Sequence, residues 1–116
     1  MTDVRVLGVA GSLRLGSLNR ALLRAAVKLA PSGMTIETFD LNEVPLYNGD
    51  VEAAGDPPGV AAFKEAIRAA DAVLFVTPEY NHGVPGVMKN AVDWASRPAR
   101  DAVLNGKPVG IIGASP

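Results

Sequence analysis

Three nearly continuous apolar runs, VRVLGVA (Val4 to Ala10), AVLFVT (Ala72 to Thr77) and PVGIIGA (Pro108 to Ala114), have strand length and show no alternation. A strand reads this way when both of its faces are buried, as happens when a parallel sheet is covered by helices on each side. A fourth run, MTIETFD from Met34, alternates more and carries Glu37, which suits an edge strand or one with a wetter face. Helical stripes fall between the runs: Leu18, Leu22, Ala25, Ala26 and Leu29; then Val60, Phe63, Ile67 and Ala70; then Val87, Ala91, Val92 and Ala95. Pro31 to Gly33 closes the first helix, PPG from Pro57 opens the second, and Pro98 follows the third. The order β-α-β-α-β-α-β predicts an α/β fold, a doubly wound parallel sheet with right-handed crossovers.

A chain of 116 residues holds one domain, residues 1–116, and a domain of that size buries roughly two thirds of its unfolded surface. The formal charge of -1 gives no global pull toward nucleic acid or an anionic membrane, so neither is expected as a partner. With no cysteine there is no disulfide, thiolate metal site or cysteine nucleophile. No run approaches the ~20 apolar residues of a membrane span, and the amino terminus lacks the basic start of a signal peptide; a soluble, cytoplasmic protein is expected. The link LNEVPLYNGDVEAAGDPPG, Leu41 to Gly59, is too long for a simple connector and reads as a functional rim or a subunit contact.

Ligands of parallel α/β sheets sit beyond the carboxyl ends of the strands, where helix N-termini offer unpaired N–H groups. GSLRLGSLNR, Gly11 to Arg20, occupies that place after the first strand. Ser12, Ser17 and Asn19 are candidate donors to phosphate oxygens, and Arg14 offers a guanidinium fork; Ser17 serves equally well as a plain helix N-cap. The Walker spacing of Gly11 and Gly16 has Ser17 where the P-loop lysine belongs, and G-x-G-x-x-G is absent. What remains is a cradle for a terminal phosphate without a metal, or a Gly/Ser turn. PEYNHGVPGVMKNAVDWASRP, Pro78 to Pro98, follows the AVLFVT strand. If that strand lies beside the first, one ligand touches both loops, its phosphate on the first and a flat ring against Pro78 to Asn81, with Tyr80 offering a face.

Together GSLRxGSxNR and PEYNHGVPGVMKNAVDW closely resemble the NADPH-dependent FMN reductase family, a flavodoxin-like group that includes quinone, chromate and azo-dye reductases. The similarity runs from Val6 to Pro116. It implies an FMN cofactor with its phosphate on Ser12, Arg14, Ser17 and Asn19 and its ring on Pro78, Glu79, Tyr80 and Asn81. A third flavin loop is implied to begin at Ser115 and Pro116. NADPH or NADH is the implied reductant and a quinone-like or other small molecule the electron acceptor, with no side-chain catalyst and no metal. A homodimer or homotetramer is implied as well. Relatives continue past GASP, so the chain resembles about the first two thirds of the usual domain, without its last strand and helix. The alternative is a flavodoxin-like electron carrier or a non-catalytic assembly fragment.

Single residues are read accordingly. His82 and Glu79 are expected to shape the loop rather than transfer protons, because the flavin carries the hydride chemistry. Trp94 is assigned to packing, Lys89 and Asp93 to a surface i,i+4 pair, and Arg97 and Arg100 to a solvated helix end. Asp40, Glu43, Asp50 and Glu52 read as a solvated acidic rim.

Overall fold

The computed structural model describes residues 3–116. Four parallel strands, β1 (Val4–Ala10), β2 (Met34–Phe39), β3 (Ala72–Val76) and β4 (Val109–Ile112), pair in the order β2-β1-β3-β4. Four helices connect them: α1 (Leu18–Leu29), a short α2 (Gly49–Ala53), α3 (Pro58–Ala69) and α4 (Gly86–Ala95). The central strands show why their sequences do not alternate. Val6 of β1 and Val76 of β3 pack toward α1 with Leu23 and Ile36. Leu7 and Val9 of β1, with Val73 and Phe75 of β3, pack toward α3 and α4 against Phe63, Ile67, Met88 and Ala91. Side chains that alternate between two apolar cores leave no polar position, and each large one buried contributes roughly 1.5–3 kcal/mol. Gly8 is the exception that lets α1 come close: a Cβ there would lie 2.5 Å from Leu23 Cδ1.

The second and third helical stripes are buried or half-buried as expected, with Met88 and Trp94 added to the third. The first is displaced. Leu18 and Leu29 are exposed, and the residues of α1 that are buried are Asn19 and Leu23. The cause is Asn19, whose side chain is held inside by hydrogen bonds to a distant loop, so that the buried face turns toward a polar residue.

The link after β2 contains a 3-10 turn (Leu41–Glu43) and α2, neither of which its sequence announced. It is fastened to α4 by polar contacts at Pro45 and Tyr47. Trp94 Nε1 and Asn90 Nδ2 each donate to the Pro45 carbonyl at 2.8 Å, and the Tyr47 N–H donates to Asn90 Oδ1 at 2.7 Å. Trp94 is fully buried, edge-on to Tyr47, in the packing role expected of it. Arg97 is exposed just after α4, as expected, but is not free: it bonds the Glu52 carboxylate at 3.0 Å and lies over the Tyr47 ring. Nor are the acids all free in solvent. Asp40 pairs with Arg20 at 3.2 Å, and Asp56 pairs with the buried Lys64 at 2.7 Å. Lys89 and Asp93 form the expected pair at 2.6 Å.

Candidate functional site

The carboxyl ends of β1, β3 and β4 converge, because β1 and β3 are neighbours and β4 lies beside β3. After β1 the chain crosses toward β3, with the Gly11 N–H donating to the Val76 carbonyl at 2.8 Å. It then turns into α1 at Ser17. Ser17 is buried and accepts hydrogen bonds from the N–H groups of Asn19 at 3.1 Å and Arg20 at 3.2 Å, the work of an N-cap. A hydroxyl that accepts these two bonds still has its own proton to donate. Ser12 Oγ accepts a long bond, 3.4 Å, from the Arg14 N–H. The Arg14 side chain is exposed and makes no hydrogen bond or ion pair among the described residues.

Asn19 has a different occupation. Its Nδ2 donates to the Ala114 carbonyl at 3.1 Å, and the Ala114 N–H donates to its Oδ1 at 3.0 Å. The side chain thus pairs with both backbone polar groups of Ala114 and ties the start of α1 to the loop after β4, 95 residues away. The Gly113 backbone reaches this point by passing tightly over β3: a Cβ on it would lie 2.5 Å from the Thr77 carbonyl oxygen.

The loop after β3 contributes Pro78, Glu79 and Tyr80 before a tight hairpin. Tyr80 and Gly83 exchange both backbone hydrogen bonds at 3.0 Å, and the two residues between them, Asn81 and His82, have φ of +54° and +60°. Positive φ at both central positions is the pattern of a type I′ turn.

These three loops enclose an open cavity of about 260 Å3. Eight of the nine residues singled out in the sequence line it: Ser12, Arg14, Ser17, Asn19, Pro78, Glu79, Tyr80 and Ser115. Asn81 stands apart, in the hairpin tip with His82. Pro116, placed with Ser115 at the start of the implied third loop, lines the cavity too, as do Leu18 and Ala114, which were not foreseen. Leu18 reads as part of a helix stripe, and Ala114 carries no polar side chain by which its sequence position could have advertised a role.

The cavity has the chemistry of an anion site at its α1 end. A guanidinium without a partner among the described residues, two hydroxyls and the N-terminus of a twelve-residue helix face one small volume. At the other end are a proline, a half-exposed tyrosine and backbone, suited to a flat ring. Among the described residues no group of three His, Cys, Asp or Glu is placed to hold a metal ion.

A parallel sheet ordered β2-β1-β3-β4, with helices on both faces and a ligand-sized cavity where the loops of β1 and β3 meet, defines a flavodoxin-like α/β protein. Within that class the chain belongs to the NADPH-dependent FMN reductase family, whose sequence model matches residues 4–116. It is 58% identical over 113 residues to the NAD(P)H-dependent FMN reductase PA1204 of Pseudomonas aeruginosa, covering 97% of this chain and 60% of that protein. It is 49% identical over 113 residues to the 2-hydroxy-1,4-benzoquinone reductase of a Burkholderia species, covering 97% of this chain and 61% of the relative. Among solved structures it resembles FerB, a flavoenzyme NAD(P)H:(acceptor) oxidoreductase from Paracoccus denitrificans, with a TM-score of 0.89 and 41% identity over 97% of this chain and 61% of that one. The chain therefore spans about 60% of the length of these relatives.

Proposed function

We propose that this chain is the FMN-binding part of an NAD(P)H-dependent oxidoreductase whose electron acceptor is a quinone or similar small molecule. The observation that carries the reading is the cavity itself: an unpartnered Arg14 beside Ser12, Ser17 and a helix N-terminus at one end, and Pro78 to Tyr80 at the other. That donor set suits a dianionic phosphate monoester attached to a flat ring. The names of the relatives support it from a separate direction, since one is an FMN reductase and another a benzoquinone reductase.

In this proposal Arg14 neutralises the phosphate and supplies its fork of N–H donors. Ser12 and Ser17 donate their hydroxyl protons, and the free N–H at the start of α1 adds a backbone donor. Asn19 acts one step removed. By holding Ala114 it sets the height of the β4 loop, and so fixes where Ser115 meets the ring. Pro78, Glu79 and Tyr80 form the wall against which the ring lies, and Asn81 acts through the hairpin that positions Tyr80. FMN, when bound, supplies the two-electron chemistry between nicotinamide and acceptor, while the protein positions the partners and keeps water from the reaction. No side chain of this chain is assigned as nucleophile, acid or base, and no metal is needed. A homodimer or homotetramer in the cytoplasm completes the proposal. Consistent with it, no helix of the described residues is long and apolar enough to cross a membrane.

The decisive measurement compares FMN with riboflavin, which lacks the phosphate. Arg14→Ala is expected to weaken FMN about tenfold or somewhat more, the lower part of the ~1.5–3 kcal/mol range for a hydrogen bond to a charged group, because Arg14 is exposed to screening. Riboflavin affinity is expected to stay the same. Equal losses for the two ligands would remove Arg14 from the phosphate. Steady-state NADPH and NADH oxidation with added FMN then separates a reductase from an electron carrier, which would hold flavin yet turn over slowly.

A further inference from the structure

A second cavity lies on the other side of β1. It occupies about 240 Å3 between α1 and the carboxyl end of β2, and Ser12 lies on the boundary between it and the cavity described above. Its floor is apolar, made by Ala10, Leu23 and Phe39, while Arg20, Arg24, Thr38 and Asp40 form its polar wall. Three features make this wall more than a solvated helix face. Arg20 is already committed: its guanidinium donates to the Leu13 carbonyl at 3.3 Å and to Asp40 Oδ2 at 3.2 Å, fixing both the first loop and the carboxylate in place. Asp40 is held from a second side, its Oδ1 accepting from the Asn42 N–H at 2.9 Å, yet its side chain stays about half exposed and keeps lone pairs to accept a hydroxyl. Arg24, one helical turn beyond Arg20, lines the same cavity and has no hydrogen-bond or ion-pair partner for its side chain among the described residues. With two guanidinia facing one carboxylate, the wall carries a surplus positive charge.

We propose that this cavity binds a ribose carrying a 2′-phosphate, with Arg24 on that phosphate, Asp40 and Thr38 on the free 3′-hydroxyl, and Leu23 and Phe39 beneath the sugar. α/β sheets use two devices for nucleotides at this place: an acid at the end of the second strand accepts a ribose hydroxyl, or a nearby arginine takes a phosphate carried on the sugar, and this wall has a residue of each type. The cavity is too small for a whole dinucleotide, so one end of the ligand extends out of it. Such a ribose has two sources, the adenosine 2′-phosphate end of NADPH or a free nucleoside 2′-phosphate. Only the first rests on the function proposed above; the site itself stands on the α1–β2 wall.

The experiment is calorimetric titration of the purified chain with adenosine 2′,5′-bisphosphate, 5′-AMP and FMN, repeated with Arg24→Gln and Thr38→Val. Saturable binding of the bisphosphate is expected, weakened about ten- to a hundredfold by Arg24→Gln, the loss appropriate to one charge-assisted contact. Binding of 5′-AMP should be weaker in the parent and little changed by Arg24→Gln. Thr38→Val should weaken both adenosine ligands, and neither variant should alter FMN affinity. Displacement of the bisphosphate by NADPH but not by NADH would identify the dinucleotide as the source; a bisphosphate that NADPH fails to displace would support the site with a free nucleotide as its ligand. Adenosine bisphosphate bound normally by a chain that binds no FMN would uphold this site and overturn the flavin reading. The proposal falls if the bisphosphate does not saturate, or if it binds Arg24→Gln as tightly as the parent.

Discussion

Asn81 and His82 follow one another in the left-handed region, a place where a side chain with a Cβ crowds its own backbone. Asparagine tolerates the conformation by bonding locally, and the residue that best completes a type I′ pair with it is glycine rather than histidine. The reciprocal bonds between Tyr80 and Gly83 hold the pair in this shape. His82→Gly is therefore expected to raise the free energy of unfolding by up to about 1.5 kcal/mol, the relief of ~1–2 kcal/mol of backbone crowding less the ~0.5–1 kcal/mol that glycine loses in chain entropy. Urea unfolding of the two proteins measures it, and a variant less stable than the parent would mean that the imidazole makes contacts that outweigh the crowding. Unchanged steady-state NAD(P)H oxidation in the variant with added FMN would place His82 in the role read from the sequence, a loop residue and not a proton donor. Nothing in the string PEYNHG specifies φ, but an Asn followed two residues later by Gly at the end of a strand marks a turn, and that much was legible.

Between the end of α4 and the link that carries α2, Arg97, Glu52 and Tyr47 form a small network whose charge state adds to the hydrogen bonds that hold the two together. The Arg97 hydrogen bond, and after it the one donated by the Tyr47 hydroxyl at 2.9 Å, keeps the Glu52 carboxyl below its ordinary range. The same bond to Glu52 is the main cause that raises the Tyr47 phenol above its own. For a carboxylate depressed in the folded state, the stabilisation is whole above the unfolded carboxyl pKa and disappears as pH falls through the folded value; for the raised phenol it is whole below the ordinary phenol pKa and is lost on the alkaline side. The stability difference between the parent and Glu52→Gln should thus be constant through neutral pH and close as acid protonates Glu52. Urea midpoints at a series of pH values check this, and a gap that stays open at the acid end would assign the difference to packing. This network also marks where sequence reading stops. β1 and β3, packed on both faces, declare themselves by composition, and α3 by its clean apolar stripe of Val60, Phe63 and Ile67, whereas β4 has the same apolar composition and is exposed throughout because it stands at the sheet edge. The link does not declare itself, because its order comes from the Pro45 carbonyl receiving Trp94 and Asn90 from more than forty residues away. The displaced face of α1 has the same origin, a polar residue buried by a partner at Ala114. At the candidate site, side chains capable of binding were legible by type and spacing, whereas the backbone and apolar lining, Ala114 and Leu18, were not.

For the whole molecule the two edges of the sheet are unlike. The β2 edge carries exposed Thr35, Glu37 and Thr38, with Arg5 3.7 Å from Glu37, and charge of that kind discourages pairing with another strand. The β4 edge is apolar and open on both faces. Val109 and Ile111 lie on the side of β3 that carries Phe75, Ile112 lies on the opposite side, and all three are exposed, Ile111 to 69%. The outer backbone groups of β4 also have no strand beside them among the described residues, since β3 is its sole neighbour in the sheet. An edge that combines unpaired backbone with β-branched side chains on both faces favours adding a strand, and in a solution of this chain alone the available strand belongs to a second copy. The 116-residue chain is accordingly expected to self-associate as its concentration rises, and Ile111→Lys, which puts a charge on that edge while leaving the β3 contacts of the backbone in place, is expected to weaken association at least tenfold. Because the Asn19–Ala114 clamp lies just beyond β4, association through this strand should also alter flavin affinity, so titration with FMN at low and high protein concentration gives an independent reading. Sedimentation velocity over a hundredfold range of concentration distinguishes the outcomes. A parent that remains monomeric throughout would show that the apolar edge does not recruit a partner, and an Ile111→Lys variant that associates as strongly as the parent would move the contact away from β4 to another face.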